Sequence, residues 1–178
     1  YVITKKKWGN NMKILIKNGM IVSDSETYQA DILIEDEKVK WIGTDLPKTD
    51  VDTVIDAEGK YVIPGAIDVH THMDIDVGIA RAVDDFYDGT VAAACGGTTS
   101  IVDHMGFGPA GVPLHYQFNE YKKLTEGKAV IDYGFHGVAQ HVDDDIIAEL
   151  ETMAEDGIPS VKAYLTYGFK LNDAEVLQ

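Results

Sequence analysis

Residues 62–74 read Val-Ile-Pro-Gly-Ala-Ile-Asp-Val-His-Thr-His-Met-Asp, an apolar run that ends in two histidines one residue apart. Successive side chains of a β-strand point to opposite faces, so His70 and His72 project together and Thr71 points the other way. Two neighbouring imidazoles can bind one metal ion through ring nitrogens. The alternative is a polar strand end with two solvated histidines. The Pro-Gly pair before the strand and Asp74 after it favour the metal interpretation.

The composition is that of an ordinary globular protein of one domain or one and a half. The chain has 178 residues, of which 45% are hydrophobic and 25% charged. A net charge of −15 argues against nucleic acid and anionic membranes as partners. A single cysteine, Cys95, excludes an internal disulfide and favours a reducing, cytoplasmic setting; we expect it to be a small buried core residue. We expect residues 1–11 to be a non-native or disordered leader, with no signal peptide or membrane span.

Residues 12–63 predict a small all-β module. The apolar run at 13–17 is followed by Asn18-Gly19, which is a strong turn signal. The runs at 30–35 and 39–42 flank a short polar turn and predict a hairpin. About fifty residues is little for an independent core, so we expect this module to pair with another element.

Residues 64–178 alternate strand-like and helix-like segments, which predicts parallel βαβ units. The predicted strands are 66–70, 98–103, 130–136 and 161–165, and the predicted helices are 84–95, 114–125, 144–154 and one from 172. Four β/α units are the N-terminal half of a TIM-type (β/α)8 barrel, which takes about 250 residues. The alternative is a small open α/β sheet. We interpret the glycine-rich segment 106–111 as a flexible loop at the mouth of a site and not as a phosphate cradle, because it follows the second strand.

Lys162 lies inside the apolar fourth strand, where a lone buried ammonium is costly. It must therefore be paired, neutral or modified. A neutral amine can add carbon dioxide and become a carbamate, which is an anionic oxygen ligand able to bridge two metal ions. The alternative is a surface lysine on a misplaced strand.

Several stretches together resemble one family. Residues 64–74 resemble the first-strand signature of metal-dependent amidohydrolases. Four later stretches resemble the hydantoinase and dihydropyrimidinase branch of that superfamily: 84–90, 92–99, 132–136 and 160–167. The likeness runs without a gap over 12–178.

The resemblance implies a TIM barrel beside a β-sandwich built from both chain ends, and two divalent metal ions, usually zinc, bridged by a carbamylated lysine. His70 and His72 match metal ligands and Lys162 matches the lysine that takes up carbon dioxide. Tyr167 matches the catalytic, substrate-binding tyrosine that hydrogen-bonds the substrate carbonyl and its developing oxyanion; the alternative is an ordinary aromatic at a strand end. The family's remaining ligands, two histidines and a proton-shuttling aspartate, lie on later strands, so we expect this chain to be the N-terminal part of such a barrel.

The implied activity is metal-dependent hydrolysis of a ring C–N bond in a small cyclic amide or imide, giving an N-carbamoyl amino acid from a hydantoin or dihydropyrimidine. The resemblance also implies a homo-oligomer, commonly a tetramer. The alternatives are an inactive fragment, a non-catalytic scaffold relative, or a sister enzyme of the dihydroorotase or allantoinase type. His104 stands where an apolar or aromatic residue is expected, and His136 is predicted to be a hydrogen-bonded strand-end residue, not a ligand.

Overall fold

The structure is a computed structural model that describes residues 12–178. The expectation for residues 1–11 lies outside the described residues. The described chain divides into two compact units, one that ends at Pro64 and one that runs over Gly65–Gln178. No helix within residues 12–178 has the length and apolar character needed to cross a membrane.

The first unit is a five-stranded sheet. Its strands are β1 (Lys13–Val22), β2 (Thr27–Glu35), β3 (Lys38–Gly43), β4 (Thr53–Asp56) and β5 (Tyr61–Val62). The first three pair antiparallel in the order β3-β2-β1, and β4 and β5 both pair parallel with β1. The predicted hairpin is confirmed as β2 and β3. Ile21, Ala30 and Ile32 form the buried centre of this unit.

The turn predicted at Asn18-Gly19 is wrong, because β1 continues through it as a bulge. The register with β2 shifts between Ile16 and Gly19, and Asn18 has a φ of 62°. Asparagine tolerates this left-handed conformation, and its backbone N–H donates to Asp31 Oδ1 at 2.9 Å. A Cβ at Gly19 would lie 2.5 Å from Val62 Cγ2. The local signal is therefore used to kink a strand and not to reverse the chain.

The second unit has an α/β fold, as predicted. Its elements are β6 (Ala66–Thr71), α1 (Phe86–Cys95), β7 (Thr98–His104), α2 (Leu114–Thr125), β8 (Asp132–Ala139), α3 (Asp144–Glu155), β9 (Val161–Ala163) and α4 (Asp173–Val176). The strands form one parallel sheet in the order β6-β7-β8-β9. The last strand is shorter than the predicted 161–165. Parallel pairing brings the carboxyl ends of all four strands to one edge.

An aromatic core covers one face of this sheet. The ring of Phe135 on β8 lies 5.6–6.3 Å, between centroids, from four other rings: Phe86, Phe118, Tyr121 and Tyr133. Edge-on packing of this kind adds to the hydrophobic gain. His136, the next residue of β8, points to the opposite face because side chains alternate along a strand. The sheet therefore has an apolar face and a face that carries histidines.

The expectation that Cys95 is buried is wrong, since its thiol is exposed. Helix α1 begins after Asp85, whose carboxylate caps the helix by accepting from the N–H groups of Tyr87 and Asp88. The side of α1 that packs inward carries Phe86, Gly89 and Thr90. Cys95 lies on the last turn of α1. The residues around it are apolar or small on all sides, so the sequence did not indicate which side of the helix faces the core.

Candidate metal centre

His70 and His72 lie together at the end of β6. Their Nε2 atoms are 3.2 Å apart, and their rings meet edge-on with centroids 5.1 Å apart. Two nitrogens bound to one tetrahedral zinc at about 2.0–2.1 Å lie about 3.3–3.4 Å from each other. The pair therefore fits two ligand positions of a single ion.

Two further histidines extend this pair into a cluster. The His104 ring, at the end of β7, lies 4.1 Å from the His70 ring and 4.4 Å from the His136 ring. His104 is 9% exposed, and its Nδ1 has no hydrogen-bond partner within residues 12–178. Burial lowers the pKa of His104 to about 4, and repulsion from the protonated forms of His136 and Lys162 acts in the same direction. His104 is therefore neutral at pH 7.

His136 has no ring nitrogen left for a metal. Its Nε2–H donates to the Val69 carbonyl at 3.1 Å. A carbonyl can only accept, so this tautomer leaves Nδ1 to accept from the Ser160 hydroxyl. His136 is hydrogen-bonded as predicted, but it lies inside β8 and not at its end, because the strand continues to Ala139.

Asp103 on β7 binds the segment of His70 and His72 from the other face. Its Oδ2 accepts from the Thr71 hydroxyl at 2.7 Å and from the Met73 N–H at 2.9 Å. The side chain is fully buried. Burial raises the pKa of Asp103 to about 6, although these two hydrogen bonds oppose the rise.

Lys162 and Tyr167 line the same cavity as His72, and the volume of this cavity is about 1040 Å³. Lys162 is half-buried, and its Nζ lies 4.7 Å from the centre of the Tyr164 ring. Burial, followed by the charge of Lys162, lowers the pKa of His72. Tyr167 is largely exposed and has a φ of 70°, an uncommon conformation for a residue other than glycine.

The apolar lining of this cavity was not predicted from the sequence. It includes Ile75, Val77, Ile79, Phe107, Tyr164 and Phe169. In the same loop as Ile75, Asp74 forms a 2.7 Å ion pair with Arg81.

The sequence shows only that these loops contain apolar residues. An apolar residue in a loop does not by itself indicate a cavity, because it can also be exposed. Only the fold brings residues from three loops around one space.

The glycine-rich loop expected at the site mouth does line this cavity, through Gly106 and Phe107. The Gly106 N–H donates to the Tyr121 hydroxyl at 2.8 Å, and Gln117 Nε2 donates to the Gly106 carbonyl at 2.5 Å. Gln140 bonds the backbone on both sides of Gly108. These bonds, two of them buried, define the conformation of the loop, and its flexibility stays a prediction.

Within residues 12–178, no group of three or more His, Cys, Asp or Glu side chains is arranged to hold a metal ion. The described chain offers the histidine pair, with Lys162 on the same cavity as His72. These residues fit part of a metal site.

Comparison with known proteins identifies relatives over almost the whole chain. No family model matches. D-phenylhydantoinase of Escherichia coli O1:K1 is 54% identical over 167 residues, which are 94% of this chain and 36% of the relative. The crystal structure of dihydropyrimidinase from Brevibacillus agri NCHU1002 is 45% identical with a TM-score of 0.88, and the match covers 93% of this chain and 36% of that one. D-hydantoinase from Bacillus sp. AR9 is 43% identical with a TM-score of 0.86, over 92% and 36%.

These likenesses show that the chain is homologous to the hydantoinase branch of the amidohydrolases, over the N-terminal part of those proteins. The relatives are D-phenylhydantoinase, D-hydantoinase and dihydropyrimidinase, the branch that the motifs predicted. The chain spans about a third of the length of these relatives, 36% in each case.

Proposed function

We propose that this chain supplies the N-terminal part of the active site of a cyclic amidohydrolase. The reaction opens a hydantoin or dihydropyrimidine ring at a C–N bond and gives an N-carbamoyl amino acid. The observation that carries the proposal is that His72, Lys162 and Tyr167, far apart in the sequence, line one cavity beside the His70 ring. In this proposal residues 65–178 are the first four β/α units of a TIM barrel, and residues 12–64 contribute to a β-sandwich.

The histidine pair and Lys162 would hold two divalent ions, with zinc as the expected metal. His70 and His72 would bind one of them. The Lys162 amine would form a bond to the carbon of carbon dioxide and lose a proton, and the resulting carbamate would offer anionic oxygen ligands to the ions. No carboxylate within residues 12–178 pairs with Lys162, so its amine is free for this reaction. When bound, the ions act as Lewis acids toward the ring carbonyl and make water a stronger acid.

Tyr167 would donate a hydrogen bond to the ring carbonyl oxygen. That bond strengthens as negative charge develops on the oxygen, which stabilises the transition state more than the bound substrate. A φ of 70° at a tyrosine costs about 1–3 kcal/mol, a strain that often accompanies a functional position.

The cavity lining supports a neutral ring with an apolar or aryl substituent. Phe107, Tyr164 and Phe169 offer aromatic surface, and Lys162, which this proposal converts to a carbamate, is the one basic side chain among the cavity residues of the described chain. A substrate carboxylate, such as that of dihydroorotate, would need a further cation. The name of the Escherichia coli relative, D-phenylhydantoinase, agrees with an aryl substituent.

A chimera tests this proposal. Residues 12–178 replace the matched segment of Escherichia coli D-phenylhydantoinase, and we measure bound metal by elemental mass spectrometry and ring opening of 5-phenylhydantoin by mass. We expect about two metal ions per chain and product formation. Two variants should lose metal and should be at least about 100-fold less active than the chimera. They are the double variant His70→Ala with His72→Ala, and the single variant Lys162→Ala. His141→Ala is the control, because His141 pairs with Asp143 and is not among the residues that line the cavity.

A folded chimera that holds no metal and opens no ring would support the scaffold or inactive-fragment interpretation. Faster opening of dihydroorotate or allantoin would support a sister activity. We also propose a homo-oligomer, tetrameric as in the expectation above, and a cytoplasmic setting; light scattering of the chimera tests the first.

A further inference from the structure

The backbone that carries the histidine pair is weakly fixed by the sheet itself. β6 pairs with β7 in register at Asp68↔Ile101, and the register shifts before the next pair, Thr71↔Asp103. The regular ladder is therefore interrupted at the two histidines, and other interactions define the backbone there. The His70 N–H donates to Asp68 Oδ1 at 3.0 Å, and His136 Nε2–H donates to the Val69 carbonyl at 3.1 Å.

The Asp103 carboxylate fixes the same segment around His72. It accepts from the Thr71 hydroxyl and from the Met73 N–H, which lie on either side of His72 in the sequence. Two bonds to one oxygen, one before and one after His72, restrain the backbone on both sides of that residue. The bonds reach the strand from the face opposite the histidines, because Thr71 alternates with them.

This arrangement is costly for a merely structural bond. The second oxygen, Oδ1, has no hydrogen-bond partner within residues 12–178, and no lysine or arginine of that range pairs with the carboxylate. A buried carboxylate with an unsatisfied oxygen reduces stability. A charge-assisted acceptor, however, forms shorter and stronger bonds to its donors than a neutral one. Such a cost is expected where a residue fixes a functional geometry.

We propose that Asp103 is a positioning residue that acts through Thr71 and Met73 to hold His70 and His72 ready for a divalent ion. The proposal rests on the proposed function, since it assigns the pair to a metal. Removal of a group that hydrogen-bonds a metal-binding histidine directly changes metal affinity by about 10–100-fold, and we expect the lower end of that range for a carboxylate that acts through the residues beside the histidine.

The first measurement is Co²⁺ affinity of the 178-residue chain, followed by visible absorbance. We expect Asp103→Ala to bind Co²⁺ at least about 10-fold more weakly than the parent. Asp103→Asn keeps an acceptor oxygen and should stay within about 3-fold, and Thr71→Val should lie between the two. Asp143→Ala is the matched control: it removes a carboxylate that caps α3 through the Ile146 N–H and lowers stability away from the site. Its Co²⁺ affinity should equal that of the parent.

The second measurement needs no metal. In the presence of a chelator, we expect a nuclear Overhauser effect between the imidazole protons of His70 and His72, whose Nε2 atoms are 3.2 Å apart. Asp103→Ala should weaken it, while Asp103→Asn and Asp143→Ala should keep it. Circular dichroism confirms that each variant is folded.

The outcomes separate the two proposals. If His70→Ala binds Co²⁺ as the parent does, the pair is no metal site and the metal assignment of the proposed function fails. If the pair binds Co²⁺ but a folded Asp103→Ala keeps both affinity and the Overhauser effect, the positioning role of Asp103 is overturned and the proposed function stands.

Discussion

Asp31 in the first unit and Asp103 in the second are both buried but have opposite surroundings. Asp31 on β2 is fully paired: Oδ1 accepts from the Asn18 N–H at 2.9 Å, and Oδ2 accepts from the Leu46 N–H at 3.0 Å and from Lys17 Nζ at 2.9 Å. Asp103 on β7 has two donors on one oxygen and, among residues 12–178, no donor on the other oxygen and no cation. Both side chains are buried.

The pKa values follow these surroundings. Burial acts to raise the pKa of Asp31, but the hydrogen bonds and the charge of Lys17 outweigh it, and the pKa lies below its usual range. At Asp103 burial dominates, and the pKa rises to about 6. A fully paired carboxylate such as Asp31 stabilises the fold of its unit. A half-paired one beside candidate ligands indicates that stability is given up for geometry at that site.

The largest expected effect is at the cation that pairs with Asp31. Lys17→Met leaves the Asp31 charge buried without its cation and should lower the free energy of unfolding by about 3 kcal/mol, because a stranded buried charge is strongly destabilising. Urea denaturation followed by circular dichroism at pH 7 measures it. Lys13→Met is the control, since Lys13 forms a longer, partly exposed pair of 3.7 Å with Glu35 and should cost under about 1 kcal/mol. Equal losses in the two variants would remove the distinction between the aspartates.

A smaller effect is expected at the site aspartate. Thr71→Val preserves side-chain shape but removes the hydroxyl that donates to Asp103, and should lower the free energy of unfolding by about 1–2 kcal/mol. Thr152→Val removes a hydroxyl bond on the exposed side of α3 and should cost less than about 0.5 kcal/mol. The same denaturation experiment compares them. An unchanged stability in Thr71→Val would mean that the 2.7 Å bond does not anchor the strand end.

Local patterns in the sequence predicted the elements and the histidine pair. Helix α2 occupies the predicted residues, and α1 begins at the predicted aspartate cap, because capping and periodicity are local properties. His70 and His72 could be placed side by side because alternation along a strand fixes their direction. The resemblance of the motifs to one family predicted the relatives that the comparisons found.

Interactions between distant segments were outside the reach of these patterns. Asp103 could be placed at a strand end, but its bonds to Thr71 and Met73 depend on the register between two strands. The Asn18-Gly19 dipeptide alone indicates a turn. Asn18 instead lies in a bulge of β1, where its N–H donates to Asp31, a residue from another strand. The aromatic cavity wall likewise needs three loops that only the fold brings together.

The smallest expected effect has the opposite sign and comes from the charge of Asp103 itself. Its pKa is about 6 in the folded chain and about 3.9 when unfolded, so the folded state binds more protons between these values and stability falls as pH rises through them. Asp103→Asn removes this fall. At pH 8 it should therefore raise the free energy of unfolding by about 1 kcal/mol, a gain limited by the new amide N–H₂, and the gain should vanish near pH 4.

Asp31→Asn provides the contrast, because the lowered pKa of Asp31 stabilises the fold above about pH 4 and that contribution is lost only as pH falls further. It should thus be less stable than the parent at pH 8 and approach it on acidification. Urea denaturation from pH 3 to pH 8 tests both variants. If Asp103→Asn is also less stable than the parent at pH 8, the carboxylate is net stabilising. The two aspartates would then differ in degree and not in kind, and the cost that we assign to positioning His70 and His72 would not exist.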